Sequence, residues 1–265
     1  MADPGLPTVV REALATLAAG DRNLARFGAA QHRYELAPPL TSAALTEVEA
    51  TLGSTLPDDL RWFVTEVGSG GAGPGYGWIP VERAARSVIS APSRVGAQPW
   101  EPALWTRALP IAHLGCAYAA IVPLDGRARG ELWIDARALE RLAPIHPSLT
   151  AAYIVWIDRL ARGTLPDGYV PAGACAFAAA LSGYLGVMER RLGIPEATLA
   201  GEQLREVLGQ LGPGAIEIAA ESAALFAPGD RVDPCIVCAH LIETLATDGL
   251  RRDVVAPGLL PLAVR

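Results

Sequence analysis

The sharpest chemical pattern in the chain is Cys235-Ile236-Val237-Cys238, followed at once by Ala239-His240. Two thiols three residues apart at a helix start form the pattern of a redox dithiol, because the helix dipole favours the thiolate. The same pair is half of a thiolate metal site. Redox use needs a strand–loop–helix frame before the first cysteine, and none is evident; both intervening residues are apolar. Metal use needs further ligands. There is no second C-x-x-C and no spaced histidine pair, so only the fold can bring up Cys116 or Cys175. The plainer reading, and the one the spacing favours, is two small apolar side chains buried on an amphipathic helix.

The second pattern is Gly68-Ser69-Gly70-Gly71-Ala72-Gly73, which satisfies G-x-G-x-x-G. A dinucleotide loop must leave a strand and enter a helix, so that the pyrophosphate meets the helix N-terminus. Here the order is reversed. Leu60, Phe63, Val64 and Val67 fall at i, i+3, i+4, i+7 of a preceding helix, and Tyr76 to Val81 has strand composition. Pro74 also removes a backbone donor from inside the loop. The expectation is a helix exit, a turn and a sheet entry, with no bound phosphate.

Other chemistry is thin. The histidines at 32, 113, 146 and 240 are scattered, and a lone His113 in an apolar strand reads as a satisfied core residue. Asp58-Asp59 opens a helix, where the dipole alone explains acid. Glu131 and Asp135 share a strand face but lie roughly 13 Å apart, too far for a coupled carboxylate pair. No G-x-S-x-G occurs, and Ser182 sits inside a helical run. What remains is surface. Asp59, Arg61, Trp62 and Glu66 lie on the helix face opposite the apolar stripe, with Tyr76, Trp78 and Glu82 close by in sequence. Exposed aromatics ringed by charge suit a protein interface. The competing reading puts Trp62 and Trp78 in the core or over the glycine loop.

The elements that must position these groups are legible in part. Thr8 to about Ala30 reads as helix with Val9, Leu14 and Leu17 on one face, broken at Gly20-Asp21 and continued by Leu24 and Phe27 in a second short helix. Thr41 to Gly53 is a helix with Thr41 or Ser42 as its cap, a Leu45/Val48/Leu52 stripe and a terminal glycine. Thr55 and Asp58 can cap the next helix reciprocally, with Pro57 in its first turn. Trp100 and Trp105 pin a proline-containing loop onto the body. Strands are expected at Leu109 to Leu114, Tyr118 to Leu124 and Glu131 to Asp135, the last two as a hairpin. Thr150 to Ala161 is a helix with Tyr153, Ile154, Ile157 and Leu160 inward. Gly163 to Gly168 is a boundary. Beyond it the composition turns alanine-rich, with helices at Ala174 to Leu192, Leu199 to Leu211, Ala215 to Phe226 and Pro234 to about Thr247, the last capped by Asp233.

Composition narrows the class. The chain has 265 residues, 51% of them hydrophobic, enough to fold without staples. The net charge is −6, and all 22 basic residues are arginine. An acidic excess speaks against non-specific nucleic-acid binding, which needs a basic stripe, and suits docking of a basic protein. Residues 1–168 carry 15 arginines and 17 acids, and residues 169–265 carry 7 and 11, so the acidity leans to the C-terminal part. No apolar run is long enough for a membrane helix, and the N-terminus lacks a basic region before its apolar run. These features predict a cytoplasmic protein with reduced thiols and no membrane partner.

The run from Leu40 to Glu82 resembles the SUKH superfamily, the group of bacterial immunity proteins that also includes a fungal cell-wall regulator. The matching features are the acidic helix ending in Leu52-Gly53, the Leu56-Pro57-Asp58-Asp59-Leu60 opening, Phe63 with the Glu66-Val67-Gly68 exit, and the glycine run closing in Tyr76-Gly77. Downstream, Leu114-Gly115-Cys116 and Gly130 to Asp135 resemble the family's later hairpin. The resemblance covers roughly residues 24–163. It implies an α+β fold, an antiparallel or mixed sheet with helices packed on one side; the alanine-rich helical C-terminal segment follows it. The expected division is a SUKH-like domain over 1–168 and a mainly helical segment over 169–265. The family shares no catalytic residues, so the resemblance implies no catalytic residue, no cofactor and no metal. Its implied role is to bind and neutralise a protein toxin, such as a nuclease or deaminase. Two alternatives remain: an adaptor that binds partners through the C-terminal helices, and a dithiol oxidoreductase using Cys235 and Cys238.

Overall fold

The computed structural model describes residues 4–137, 141–163, 176–195 and 199–211, together with Cys235, Cys238 and Ala239. Helix α1, Leu6–Gly20, starts on a proline and buries Val10, Leu14 and Leu17, while Val9 is exposed. Leu14 and Leu17 face inward as expected, and Val10 takes the place expected of Val9. Leu24 and Phe27 are not helical. Leu24 has φ +52°, and the Asp21 carboxylate accepts from the amides of Ala25 and Arg26, holding the chain in a turn. Only Ala29–His32, α2, is helical there. Asp21 also accepts from the Tyr34 hydroxyl at 2.7 Å. Buried His32 lies within this network. Burial drives its pKa down to about 4, against the opposing pull of Asp21.

Helix α3, Ser42–Leu52, forms as its caps require. The Thr41 side chain accepts from the Ala44 amide, and Gly53 ends the helix in the left-handed conformation. Helix α4, Asp58–Trp62, has no side-chain cap. Instead of the Thr55–Asp58 box, Glu49 reaches from α3 to take the Leu56 amide, and Asp58 is exposed. The helix runs on as a π-turn, Phe63–Val67, in which the Gly68 amide donates to the Phe63 carbonyl five residues back. Leu60, Phe63, Val64 and Val67 are all buried, as the spacing predicts.

The sheet is antiparallel throughout, in the order β1-β4-β5-β6-β7. Its strands are Ile89–Ser90 (β1), Arg107–Gly115 (β4), Tyr118–Pro123 (β5), Leu132–Ala136 (β6) and Arg141–His146 (β7); β2 and β3, Arg94–Val95 and Gln98–Pro99, form a small separate ribbon. One face carries Leu109, Ile111, Ala120, Val122, Leu132 and Ile134 into the main core against α1, α3, α4, the short helix α5, Val81–Ala84, and helix α6, Leu149–Ala161. The other face carries Ala108, Ala119, Ile121 and Trp133 into a second cluster. Among the described residues no helix covers that second face: Trp100 and Trp105, from the loop before β4, pack on it and edge-on to each other with ring centroids 5.1 Å apart. The fold is α+β, with the helices on one side and a tryptophan loop on the other.

Beyond the sheet, helices α7, Ala176–Leu192, and α8, Gly201–Gly209, match their expected positions. Leu181, Leu208, Leu211, Cys235 and Cys238 belong to the same core as the sheet and its helices. The expected helices over 215–226 and 234–247 lie outside the described residues, apart from Cys238 and Ala239, which are helical. Most of the Gly163–Gly168 boundary also lies outside them.

Candidate partner-binding surface

The glycine segment is bound up in backbone pairing. Gly71 and Trp78 exchange amide and carbonyl at 2.9 and 2.6 Å, the Ala72 amide donates to Glu35, and Gly70 accepts from Ala37. Further on, the Tyr76 amide donates to the His113 carbonyl and the Ile79 amide to Ile111, both at 2.8 Å. Single bridges Leu36–Gly71, Gly71–Trp78 and Trp78–Ala112 thus extend the edge of β4, in place of a regular strand. The amides of Gly68, Ser69, Gly71 and Ala72, which a phosphate would need, already face carbonyls. Close approach explains the glycines: a Cβ on Gly71 would sit 2.3 Å from the Glu35 carbonyl oxygen, at φ +100°.

The seven expected contact residues separate into structural and exposed sets. Trp78 is 7% exposed, tilted against Phe63 at 4.6 Å and edge-on to Tyr153 at 4.9 Å. It belongs to the core, because its bridge to Ala112 turns it under the helices, and it offers nothing to a partner. Asp59 is also taken up: its carboxylate accepts from Ser148 Oγ at 2.9 Å, from the Thr150 amide at 3.0 Å and from Thr150 Oγ1 at 2.6 Å. It ties α4 to the start of α6. Tyr76, half-buried, stacks on His113 at 5.0 Å and leans on Phe27. Burial lowers the His113 pKa to about 4, so this imidazole is neutral at physiological pH.

Arg61 and Glu66 are exposed and Trp62 is half-buried on the outer face of α4 and the π-turn. Arg61 forms an ion pair with Glu49 at 3.3 Å. Arg11 of α1 donates to the Glu66 and Val67 carbonyls at 3.2 Å, closing the end of the π-turn and leaving the Glu66 carboxylate outward. Glu82 stands apart. It lines an open groove of about 530 Å³ between Ala37–Thr41 and the 80–86 turn, with Arg83 and Arg86 beside it. Its Oε2 is buried with no hydrogen-bond partner among the described residues. Sequence reasoning missed this groove because neither Pro38-Pro39 nor Glu82-Arg83 signals the other across the 42 residues between them.

The profile of the SMI1 / KNR4 family (SUKH-1) matches residues 39–150. Residues 39–150 are a SMI1/KNR4 (SUKH-1) family domain. Among curated proteins and among solved structures, nothing matches significantly. The family includes immunity proteins. The matched span is narrower than the 24–163 read from sequence. It holds α3, α4, the glycine segment and the whole sheet, but excludes α1, α2 and nearly all of α6. Those outer helices nonetheless complete the SUKH-1 core through Leu14, Leu17, Tyr153 and Trp156. Both tyrosine and glycine segment meet there: the Tyr153 hydroxyl donates to the Ala72 carbonyl at 2.8 Å.

The two cysteines of the C-x-x-C are fully buried, and Cys116, at the β4–β5 turn, joins them. The Cys116 thiol is pushed well above its ordinary pKa, by a hydrogen bond with the Cys235 thiol and by burial. A protonated, water-excluded Cys116 thiol is a poor nucleophile; within the C-x-x-C, Cys238 is disulfide-bonded while Cys235 is a free thiol, so the two are not joined to each other. Among the described residues no helix is long and apolar enough to cross a membrane.

Proposed function

We propose that this chain is a non-enzymatic, cytoplasmic immunity protein that neutralises a protein toxin by covering its active site. The SUKH-1 domain over 39–150 carries this reading. Within it, the motif residues Asp59, Gly71 and Trp78 are spent on folding. The outer face of α4 and the π-turn, with Arg61, Trp62 and Glu66, and the Glu82 groove remain for contact. A half-buried tryptophan between opposite charges gives an apolar anchor with an electrostatic rim. Nucleases and deaminases act on anionic nucleic acid through basic clefts, and a protein of net charge −6 is attracted to such a surface.

The test uses the catalytic domain of a toxin encoded beside this chain, purified and assayed for nuclease or deaminase activity. Full-length protein at equal concentration should abolish the activity, with a dissociation constant below micromolar. The double charge reversal Arg61→Glu with Glu66→Arg should weaken inhibition at least about tenfold while leaving the fold intact. Unimpeded toxin activity, with no complex at micromolar concentrations, would refute the immunity role.

The adaptor alternative places partner binding in the C-terminal helices. Leu181, Leu208 and Leu211 lie in the core shared with the SUKH-1 domain, so deleting 169–265 would open that core. Point substitutions on the exposed sides of α7 and α8 are the cleaner comparison.

A further inference from the structure

Three cysteines distant in sequence meet at one buried corner. Cys116 comes from the turn between β4 and β5, and Cys235 and Cys238 from the C-terminal segment. Their sulfurs all lie within 4.8 Å of one another. Cys116 Sγ lies 3.7 Å from Cys238 Sγ. A tetrahedral zinc–thiolate centre with bonds of about 2.3 Å has sulfur–sulfur edges of about 3.8 Å. The Cys235 amide also donates to Cys116 Sγ at 3.2 Å, the kind of backbone donor that steadies a ligating thiolate.

The turn that presents Cys116 is itself informative. Cys116 and Ala117 both adopt left-handed backbone, at φ +50° and +63°. A two-residue hairpin turn of this kind ordinarily takes Asn-Gly, because each residue with a Cβ is disfavoured there by about 1 kcal/mol. Such backbone persists where the surroundings fix it, and it gathers at ligand sites. Here it carries a buried sulfur onto the C-x-x-C pair. The pairing that the sequence leaves to the fold is thus supplied by Cys116.

We propose that Cys116, Cys235 and Cys238 are three thiolate ligands of a structural zinc-class cation that fastens the C-terminal segment to the SUKH-1 sheet. Three thiolates leave the fourth position of the tetrahedron open, as zinc centres with three protein ligands do. Cys238 is disulfide-bonded in this structure, so the metal site belongs to the reduced protein. A dithiol reductant delivers two electrons and two protons to that disulfide, yielding two thiols, and is itself oxidised to a disulfide. The three thiols then each release a proton as the cation binds. Metal loading is therefore gated by reduction.

The experiment titrates reduced, full-length protein with cobalt(II) in the absence of oxygen and follows the thiolate-to-cobalt charge-transfer band and the intense d–d bands of a tetrahedral site. One cobalt per chain with both features is expected, displaced by zinc. Protein left unreduced should show neither. In parallel, zinc should raise the urea midpoint of reduced wild-type protein but not of reduced Cys116→Ser or Cys235→Ser, whatever their basal stability. The wild-type titration does not depend on either variant folding. Absence of the charge-transfer band in the reduced wild type overturns the proposal. So does an equal zinc-dependent shift in Cys116→Ser.

Discussion

The glycine segment and the cysteine corner invite opposite first readings, and the fold reverses both. Gly68 to Gly73 has ligand-loop spacing in one short stretch, yet the amides of Gly68, Ser69, Gly71 and Ala72 donate to Phe63, Pro38, Trp78 and Glu35, and the Gly70 carbonyl accepts from Ala37. Cys235 to Cys238 is an incomplete motif by spacing alone, yet a third sulfur arrives from Cys116, more than 100 residues away. A pattern in adjacent residues reports what backbone and side chain can do. Whether they do it depends on what tertiary structure leaves free or brings near. Strand β4 joins the two regions: the His113 carbonyl holds Tyr76 of the glycine segment, and the turn just beyond it presents Cys116.

The comparison breaks first at Gly71. If the segment is packed backbone, a methyl group there strikes the Glu35 carbonyl oxygen and forces a left-handed alanine. Gly71→Ala should cost about 3–4 kcal/mol, read as a fall in the urea midpoint. Gly53→Ala is the control. It shares positive φ but meets nothing within 4 Å, so about 1 kcal/mol is expected. Equal effects at the two sites would return the glycine segment to the status of a loose loop.

A second test uses pH. His113 and His32 have native pKa values lowered to about 4 from 6.5, in both cases chiefly by burial. Above pH 6.5 both are neutral in the folded and unfolded chain, and they cost nothing. As pH falls from 6.5 toward 4 the unfolded chain takes up protons that the native core refuses. Stability should therefore drop with acidification, by up to about 3 kcal/mol per histidine at the lower limit. Chemical denaturation between pH 7.5 and 5 measures it, and His113→Gln should flatten the slope by about half. An unchanged slope would mean that the ring is not held dry behind Tyr76.

These cases show what was legible. Helix α3 was readable because its cap, stripe and terminal glycine agree within a dozen residues. The π-turn was not, because one extra residue between donor and acceptor leaves the apolar spacing of Phe63, Val64 and Val67 unchanged. Strand β7 carries Pro144 and mixed polarity, and an edge strand tolerates both without announcing itself. Trp156, which the expected stripe omitted, is buried against Tyr153 and His32. For the surface, period alone placed Trp78 beside Tyr76 but could not say which face α6 covers. The groove at Glu82 and the sulfur at Cys116 are long-range juxtapositions, which no local window contains.

The acidic pair Asp58-Asp59 separates folding from binding at single-residue resolution. Asp59 accepts three hydrogen bonds from Ser148 and Thr150, while Asp58 is exposed. Asp59→Ala should cost about 2 kcal/mol, since a charged acceptor is lost and three donors are orphaned. Asp58→Ala should change little. Equal, small effects would free Asp59 for a partner and restore it to the contact surface.

The smallest expected effect bears most on function. Arg61 is half-exposed, and its ion pair with Glu49 is open to solvent on the Arg61 side. Exposed pairs of this kind contribute about 0.5 kcal/mol or less, and Glu49 keeps the Leu56 amide without it. Arg61→Ala should therefore leave the urea midpoint almost unmoved. If the outer face of α4 meets the basic toxin surface proposed above, the same substitution removes a like charge and should speed association, more so at lower salt, because a rim charge acts on encounter. Stability and binding then part company at one residue, as they cannot at Gly71 or Trp78, where every contact is internal. A destabilised Arg61→Ala would fold this face back into the structural set and leave the Glu82 groove as the surface to pursue.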